Sequence, residues 1–224
     1  LVKHRPHKYE YSHCSASAFP ASNLQSPASE VMQFRTFPKT DLSVSEVGFG
    51  VWTLATGWWG EKTPEESVAM LRRARDLGIT FFDTADTYGN GLGETLLRDA
   101  FGANPEGVIY ATKFGYDIYD HGNERRGQRE IPHRFDPEFI RFACEQSLKR
   151  LGVDAIPLWQ IHNAHMEHVQ NDEIWETLET LKQEGKVRHY GVAVGPANGW
   201  LWEGIGAMRH RDIDSLQVIH NMLE

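Results

Sequence analysis

Residues 81–90 read FFDTADTYGN, an apolar run that opens as a buried strand and closes as a turn, with Asp83, Asp86 and Tyr88 set where the strand gives way to polar loop. The run is one of six of its kind. SEVGFGVW, ITFFDTA, GVIYATKF, IPLWQIH, VRHYGVAV and DSLQVIH recur along the chain, and segments with helical spacing separate them. Thr63-Pro64-Glu65-Glu66 predicts an N-cap, a proline at the first helical position and a capping-box glutamate, followed by Val68, Leu71, Ala74 and Leu77 on one face and Gly78 as the stop. Asp136-Pro137 opens a second helix, with Ile140, Ala143 and Leu148 inward and Gly152 closing it. A third is expected from about Asp172 to Glu184, and shorter ones over 94–101 and between Asn198 and Arg209.

Strands that are apolar on both faces and alternate with helices make a parallel α/β sheet. Two arrangements satisfy that pattern, an open doubly wound sheet and a closed (β/α) barrel. The helix units follow one another without a break, and ionisable residues collect at C-terminal strand ends: Asp83, Lys113 and His162. In barrels that end carries the chemistry.

Composition narrows the partners. The 224 residues carry a net charge of -8, which excludes the basic face that nucleic-acid binding needs. No apolar run approaches the roughly 18 residues of a membrane-spanning helix. Cys14 and Cys144 make no disulfide framework and no metal-ligand pair, which points to a reducing, cytoplasmic setting. Residues 1–31 lack periodicity and are rich in Ser, Ala, His and Pro, so they read as disordered leader or upstream sequence. Met32 is then the natural start, and 32–224 the folded domain.

Three constellations compete for the chemistry. Gly89-Asn90-Gly91-Leu92-Gly93-Glu94 has the look of a phosphate loop, but its glycines come late after the strand, and Lys113 stands where a dinucleotide site would need an acid. These glycines read as a turn into a helix. His162, His165 and His168 are spaced by three, yet His162 ends a strand and no HExxH pattern accompanies it, so no metal site is expected. Lys113 is the stronger anomaly, because a lysine closing the apolar strand YATKF needs an anion. Asp83 at the end of a neighbouring strand is that anion, and Tyr88 and His162 complete a set of four. At about 4 Å and an effective dielectric of 20, an ammonium attracts a phenolate by roughly 4 kcal/mol before desolvation. That attraction predicts a lowered Tyr88 phenol able to exchange a proton with a carbonyl or alcohol oxygen, with hydride supplied by a cofactor.

With these residues in hand, the chain from about Met32 onward resembles the aldo-keto reductases, nicotinamide-dependent oxidoreductases on a (β/α)8 TIM barrel. FFDTADTYG, ATKFG, LWQIHNAH and GKVRHYGVAV carry the resemblance, and EVGFGVW is similar to the family's first strand, which follows a hairpin plugging the barrel bottom. The resemblance implies Tyr88 as proton donor, Lys113 and Asp83 as its activators and His162 as the substrate-orienting group. It also implies nicotinamide-side contacts from Gly50, Val51, Trp52, Asp83 and Gln217, with NADP(H) favoured over NAD(H). Where many members end the fifth strand Gly-Val-Ser-Asn, this chain has Gly191-Val192-Ala193-Val194 and lacks both polar groups. About six of the eight strand-helix units are present, so the segment alone is expected to be unstable and inactive. The implied function is reduction of aldehydes or ketones; the alternative is a cofactor-binding regulatory subunit with little turnover. Trp58, Trp59 and the loop 116–134 are candidates for the substrate entrance, and nothing in the sequence addresses oligomeric state.

Overall fold

The computed structural model describes residues 32–121, 131–195 and 201–222. The expected leader over 1–31, which includes Cys14, therefore lies outside the described residues. The first described element is a hairpin: β1 (Phe34–Thr36) pairs antiparallel with β2 (Ser43–Ser45). Leu42 at the end of its turn is 1% exposed and packs with Phe37 against Ala111 and Leu158, which belong to two later strands. Asp41 in the turn bonds Arg188 and His189 at the start of another strand. Ser45 and Thr80 exchange two bonds of 2.9 Å, tying the hairpin to the start of a fourth. The hairpin thus closes the N-terminal ends of the strands.

β3 (Phe49–Gly50) is shorter than the apolar run predicts. The Val51 N–H donates to the Asp83 carbonyl at 2.8 Å as a last ladder bond, and Val51 then takes helical angles and caps α1 (Trp52–Thr56). The capping box ahead of α2 (Pro64–Asp76) forms as expected: Thr63 Oγ1 accepts from the Glu66 N–H, and the Glu66 carboxylate accepts from the Thr63 N–H. The chain continues through β4 (Phe81–Asp83), α3 (Leu92–Phe101), β5 (Ile109–Phe114), α4 (Ile118–His121), α5 (Pro137–Leu151), β6 (Ile156–His162), α6 (Met166–Gln170), α7 (Asp172–Gln183), β7 (Val187–Ala193), α8 (Leu201–His210) and β8 (Ser215–Gln217). The start of the last expected helix, Asn198 to residue 200, lies outside the described residues. Helices α1, α4 and α6 were not anticipated, since elements of 4 or 5 residues are too short to display a helical period.

The six strands β3 to β8 pair in chain order, and every pairing is parallel. This is the curled sheet of a partial (β/α)8 barrel, as the sequence predicts, with the helices supplying the outer layer. Phe82, Tyr110, Phe114 and Trp159 are fully buried in the sheet, and Leu71, Leu97, Ile140, Leu151 and Leu178 bring the inward stripes of four helices onto it. Burying each such side chain contributes about 1.5–3 kcal/mol.

The start of α5 offers a separable check. Asp136 Oδ1 accepts from the Phe139 N–H at 3.0 Å, and Arg134 bonds the other oxygen at 2.7 Å. The Arg134 hydrogen bond, with the capping amide, holds the Asp136 carboxyl below its ordinary 3.8. A depressed carboxyl stabilises the fold above its ordinary value, and that contribution is lost as pH falls from 3.8 through the lower folded value. Asp136→Ala is expected to cost about 1 kcal/mol of unfolding free energy at neutral pH, the usual worth of an N-cap. Chemical denaturation of the two proteins at neutral and acid pH measures it, and the difference should shrink in acid.

Candidate active site

Parallel pairing brings the C-terminal ends of adjacent strands side by side, and the register sets which residues share that rim. Gly50 stands opposite Asp83, and His162 opposite Ala193. Lys113, the penultimate residue of β5, is 3% exposed at its side chain, a position a lone ammonium cannot hold without partners. Its Nζ donates to Asp83 Oδ1 at 2.7 Å, to Asp83 Oδ2 at 2.8 Å and to the Thr84 carbonyl at 2.8 Å. The fourth neighbour is the Tyr88 hydroxyl at 3.4 Å. Because the lysine donates to the phenol oxygen, the phenol's own hydrogen is left for another acceptor.

The turn after β4 aims Tyr88. The Thr84 N–H extends the ladder to Ala111, the Asp86 N–H donates to the Lys113 carbonyl at 3.2 Å, and the Tyr88 N–H closes on Ala85 at 3.1 Å. Helix α3 then starts so close that a Cβ at Gly93 would meet Thr84 Oγ1 at 2.4 Å. Gly91 caps that helix in the left-handed region at φ 86, with the Arg150 side chain where its Cβ would stand. Glu94 in the first turn points inward, fully buried, to Arg150 at 2.5 Å and Thr112 at 2.7 Å. A carboxylate and its guanidinium fill the ground beside this helix start, so the glycines serve a tight turn and close packing, in line with the turn reading.

The His162 and Tyr88 rings meet edge to face, with centroids 6.0 Å apart and planes at 79°. The four predicted side chains Asp83, Tyr88, Lys113 and His162 therefore share one rim. One expectation is corrected: the Tyr88 phenol lies above its usual value near 10, because burial outweighs the lowering by Lys113. Desolvation, which the sequence argument left unsubtracted, decides the sign. The phenol is firmly protonated at neutral pH and suited to give a proton.

Two neighbours, Tyr116 and His133, belong to the loop 116–134 that the sequence offers as an entrance, but their individual places at the rim are not legible there. Tyr116 stands edge-on to His162 at 5.2 Å, stacks on His133 at 4.1 Å, and its hydroxyl accepts from Asn163 Nδ2 at 2.8 Å. Nothing in the sequence separates Tyr116 from other loop aromatics. His133 lies 5.3 Å from His165 and 5.0 Å from His168, ring centre to ring centre. Burial, helped by the neighbouring histidines, pulls His133 down to about 4, so it is neutral at physiological pH. His168 Nδ1 accepts from the His165 N–H and so caps α6. Among the described residues no group of three or more His, Cys, Asp or Glu is placed to hold a metal ion.

The expected cofactor contacts divide. Gly50 ends its strand with open space where a side chain would be, since nothing lies within 4 Å of a Cβ built there. Val51 is 0% exposed and belongs to the core, and its N–H is engaged by the Asp83 carbonyl, so it offers no surface to a cofactor. Trp52 turns into α1 and leans on Trp58 at 5.6 Å, while Trp58 and Trp59 are 71% and 74% exposed. Gln217 closes β8, and its Oε1 accepts from Gln160 Nε2 at 3.2 Å. That bond orients the Gln217 amide and leaves its Nε2 hydrogens for a carboxamide oxygen. Gly50 backbone pairs with Asp83 at one edge of the sheet and Gln217 stands beside Ala193 at the other, and Ala193 and Val194 add no polar side chain. Of the proposed entrance loop, residues 122–130 lie outside the described residues.

Comparison with known proteins is consistent with this geometry. Residues 46–224 match the model of the Aldo/keto reductase family. The chain is 37% identical over 164 residues to YqkF of Bacillus subtilis (strain 168), described as an uncharacterized oxidoreductase, covering 72% of this chain and 49% of that protein. An uncharacterized oxidoreductase of Schizosaccharomyces pombe is 36% identical over 170 residues, covering 75% of this chain and 53% of its own length. The chain thus spans about half the length of the curated relatives it matches. Among solved structures, the holo form of the aldo-keto reductase AKR11C1 from Bacillus halodurans superposes with a TM-score of 0.68 at 31% identity, over 83% of this chain and 57% of that one. The glycerol dehydrogenase AKR11B4 from Gluconobacter oxydans gives 0.67 at 28% identity, over 88% and 57%.

Proposed function

We propose that this chain, which belongs to the aldo/keto reductase family, is the part of an oxidoreductase that reduces an aldehyde or ketone to an alcohol, with Tyr88 as proton donor. The observation that carries the reading is Lys113 Nζ, buried, fixed by both oxygens of Asp83 and 3.4 Å from the Tyr88 hydroxyl. A bound nicotinamide cofactor supplies the hydride. NADP(H) is the favoured form, by resemblance to the family. Gly50 backbone, Asp83 and Gln217 would hold its nicotinamide end.

The chain's own residues handle the proton and the charge. His162 donates to or accepts from the substrate oxygen at the rim and orients it toward Tyr88. As negative charge develops on that oxygen, the Tyr88 hydroxyl gives up its proton and the C–O bond becomes an alcohol. Lys113, already donating to the phenol oxygen, stabilises the phenolate left behind. Asp83 keeps the ammonium aligned without taking its proton. Solvent returns a proton to Tyr88, and the steps reverse for alcohol oxidation. The intact set of four favours an enzyme over a cofactor-binding regulatory subunit, which has no need of an activated phenol.

The partner is a small carbonyl or alcohol, and the setting is cytoplasmic. In keeping with that setting, Cys144 is buried, and burial pushes its thiol up to about 12. The test is consumption of NADPH and of NADH by the full-length protein over a carbonyl panel that includes the oxidation products of glycerol. Carbonyl-dependent consumption is expected, faster with NADPH. Firm cofactor binding with no turnover across the panel would transfer the reading to the regulatory subunit.

A further inference from the structure

Asp86 is a buried acid that the proposed reaction leaves unused. It stands in the turn after β4, as the sequence reading has it, yet it is 0% exposed there, and neither carboxyl oxygen has a hydrogen-bond partner among the described residues. The Thr87 amide eases a charge there slightly without closing a hydrogen bond. A buried carboxylate with no donor is costly, whereas a neutral acid is tolerated.

Its surroundings make the protonation state consequential. Asp86 sits in the turn joining Asp83 to Tyr88, its backbone bonded to Lys113. Two ion pairs flank it, each with one buried member: Lys113 with Asp83 and Glu94 with Arg150. The groups whose charges reach it come from every side: Glu94 from α3, Arg150 from α5, Lys113 from β5, Tyr119 from α4 and Tyr88 from its own turn. Each ion pair is internally neutral. The set therefore carries no net charge while Asp86 keeps its proton, and one unpaired negative charge once that proton leaves.

We propose that Asp86 is a positioning residue for Tyr88: it is carried as the neutral acid, and its ionisation sets an unpaired buried negative charge beside the phenol that locks Tyr88 in its protonated form. Burial, reinforced by the Glu94 carboxylate, pushes the Asp86 carboxyl well above the usual range, against the pull of Arg150 and Lys113. A negative Asp86 in turn acts to raise the Tyr88 phenol. The functional meaning of this coupling rests on Tyr88 being the proton donor, while the coupling itself does not.

The test follows Tyr88 directly. In the full-length protein with tyrosine labelled by carbon-13 at the phenol carbon, the Tyr88 signal is assigned by its loss in Tyr88→Phe and titrated in the parent and in Asp86→Asn. Two results are expected. The parent signal shows an extra inflection below the phenol's own titration as Asp86 ionises, and in Asp86→Asn that inflection vanishes while the phenol titrates at lower pH. The alkaline decline of kcat moves the same way. A residue that merely fills space leaves the Tyr88 titration unmoved, so a single-step parent curve, unchanged in Asp86→Asn, overturns the proposal. Should Asp86→Asn fail to fold, the parent's extra inflection decides alone. Failure of the donor reading shows separately, as undiminished turnover in Tyr88→Phe.

Discussion

Replacing Tyr88 with Phe lowers kcat by about 10²–10⁴-fold, the usual worth of a positioned general acid, while reduced cofactor still binds. The phenyl ring preserves the edge contact with His162 and the packing of the turn, so the loss isolates the hydroxyl. Lys113 keeps its two bonds to Asp83 and its bond to Thr84, and the rim stays assembled. Comparing kcat with the cofactor dissociation constant, read by quenching of protein fluorescence, separates lost chemistry from lost binding. Burial holds the Tyr88 phenol above its ordinary value near 10. Turnover in the reduction direction should therefore not be limited by Tyr88 ionisation anywhere in the neutral range.

Lys113→Met has a second large effect, on stability as well as turnover. Removing the ammonium leaves Asp83, only 20% exposed at its side chain, without its principal partner. Breaking a buried pair by deleting one member costs about 3–5 kcal/mol. The low end applies here, because Asp83 keeps some contact with water. Lys113→Met is expected to lower unfolding free energy by about 3 kcal/mol and to suppress turnover at least as strongly as Tyr88→Phe. Adding Asp83→Leu removes the stranded charge, so the double variant should regain much of the stability and none of the turnover. Equilibrium denaturation beside kcat for the three proteins distinguishes this from a rim ion pair with a purely structural task, for which activity would return with stability.

The residues that were legible in the sequence are those whose physics is local or forced. Thr63, Glu66 and Asp136 announce helix starts because a cap works within one turn. The meeting of Lys113 and Asp83 was legible because a charge that ends an apolar strand has few places to find its opposite, and neighbouring strand ends are nearest. What escaped depends on distance and depth. Asp86 looks like one more carboxyl in a polar turn; it is sealed by α3 and by Arg150, which reaches Glu94 across 56 residues of sequence. The sign of the Tyr88 shift was missed because attraction by Lys113 is visible in spacing, while desolvation depends on how deeply the turn is covered. Tyr116 reaches His162 only through the fold of its loop. The two-residue length of β3 reflects where the Asp83 carbonyl captures the Val51 amide, a pairing no local pattern specifies.

The central claim is that a hydride reaches a carbonyl carbon at the strand ends while Tyr88 protonates the oxygen. Its most direct test uses reduced cofactor deuterated at the transferring carbon, mixed with the full-length protein and a carbonyl from the active part of the panel. Deuterium is predicted on the former carbonyl carbon of the alcohol, at a rate that collapses in Tyr88→Phe. An alcohol without that label, or label transferred equally fast without the Tyr88 hydroxyl, would contradict the account.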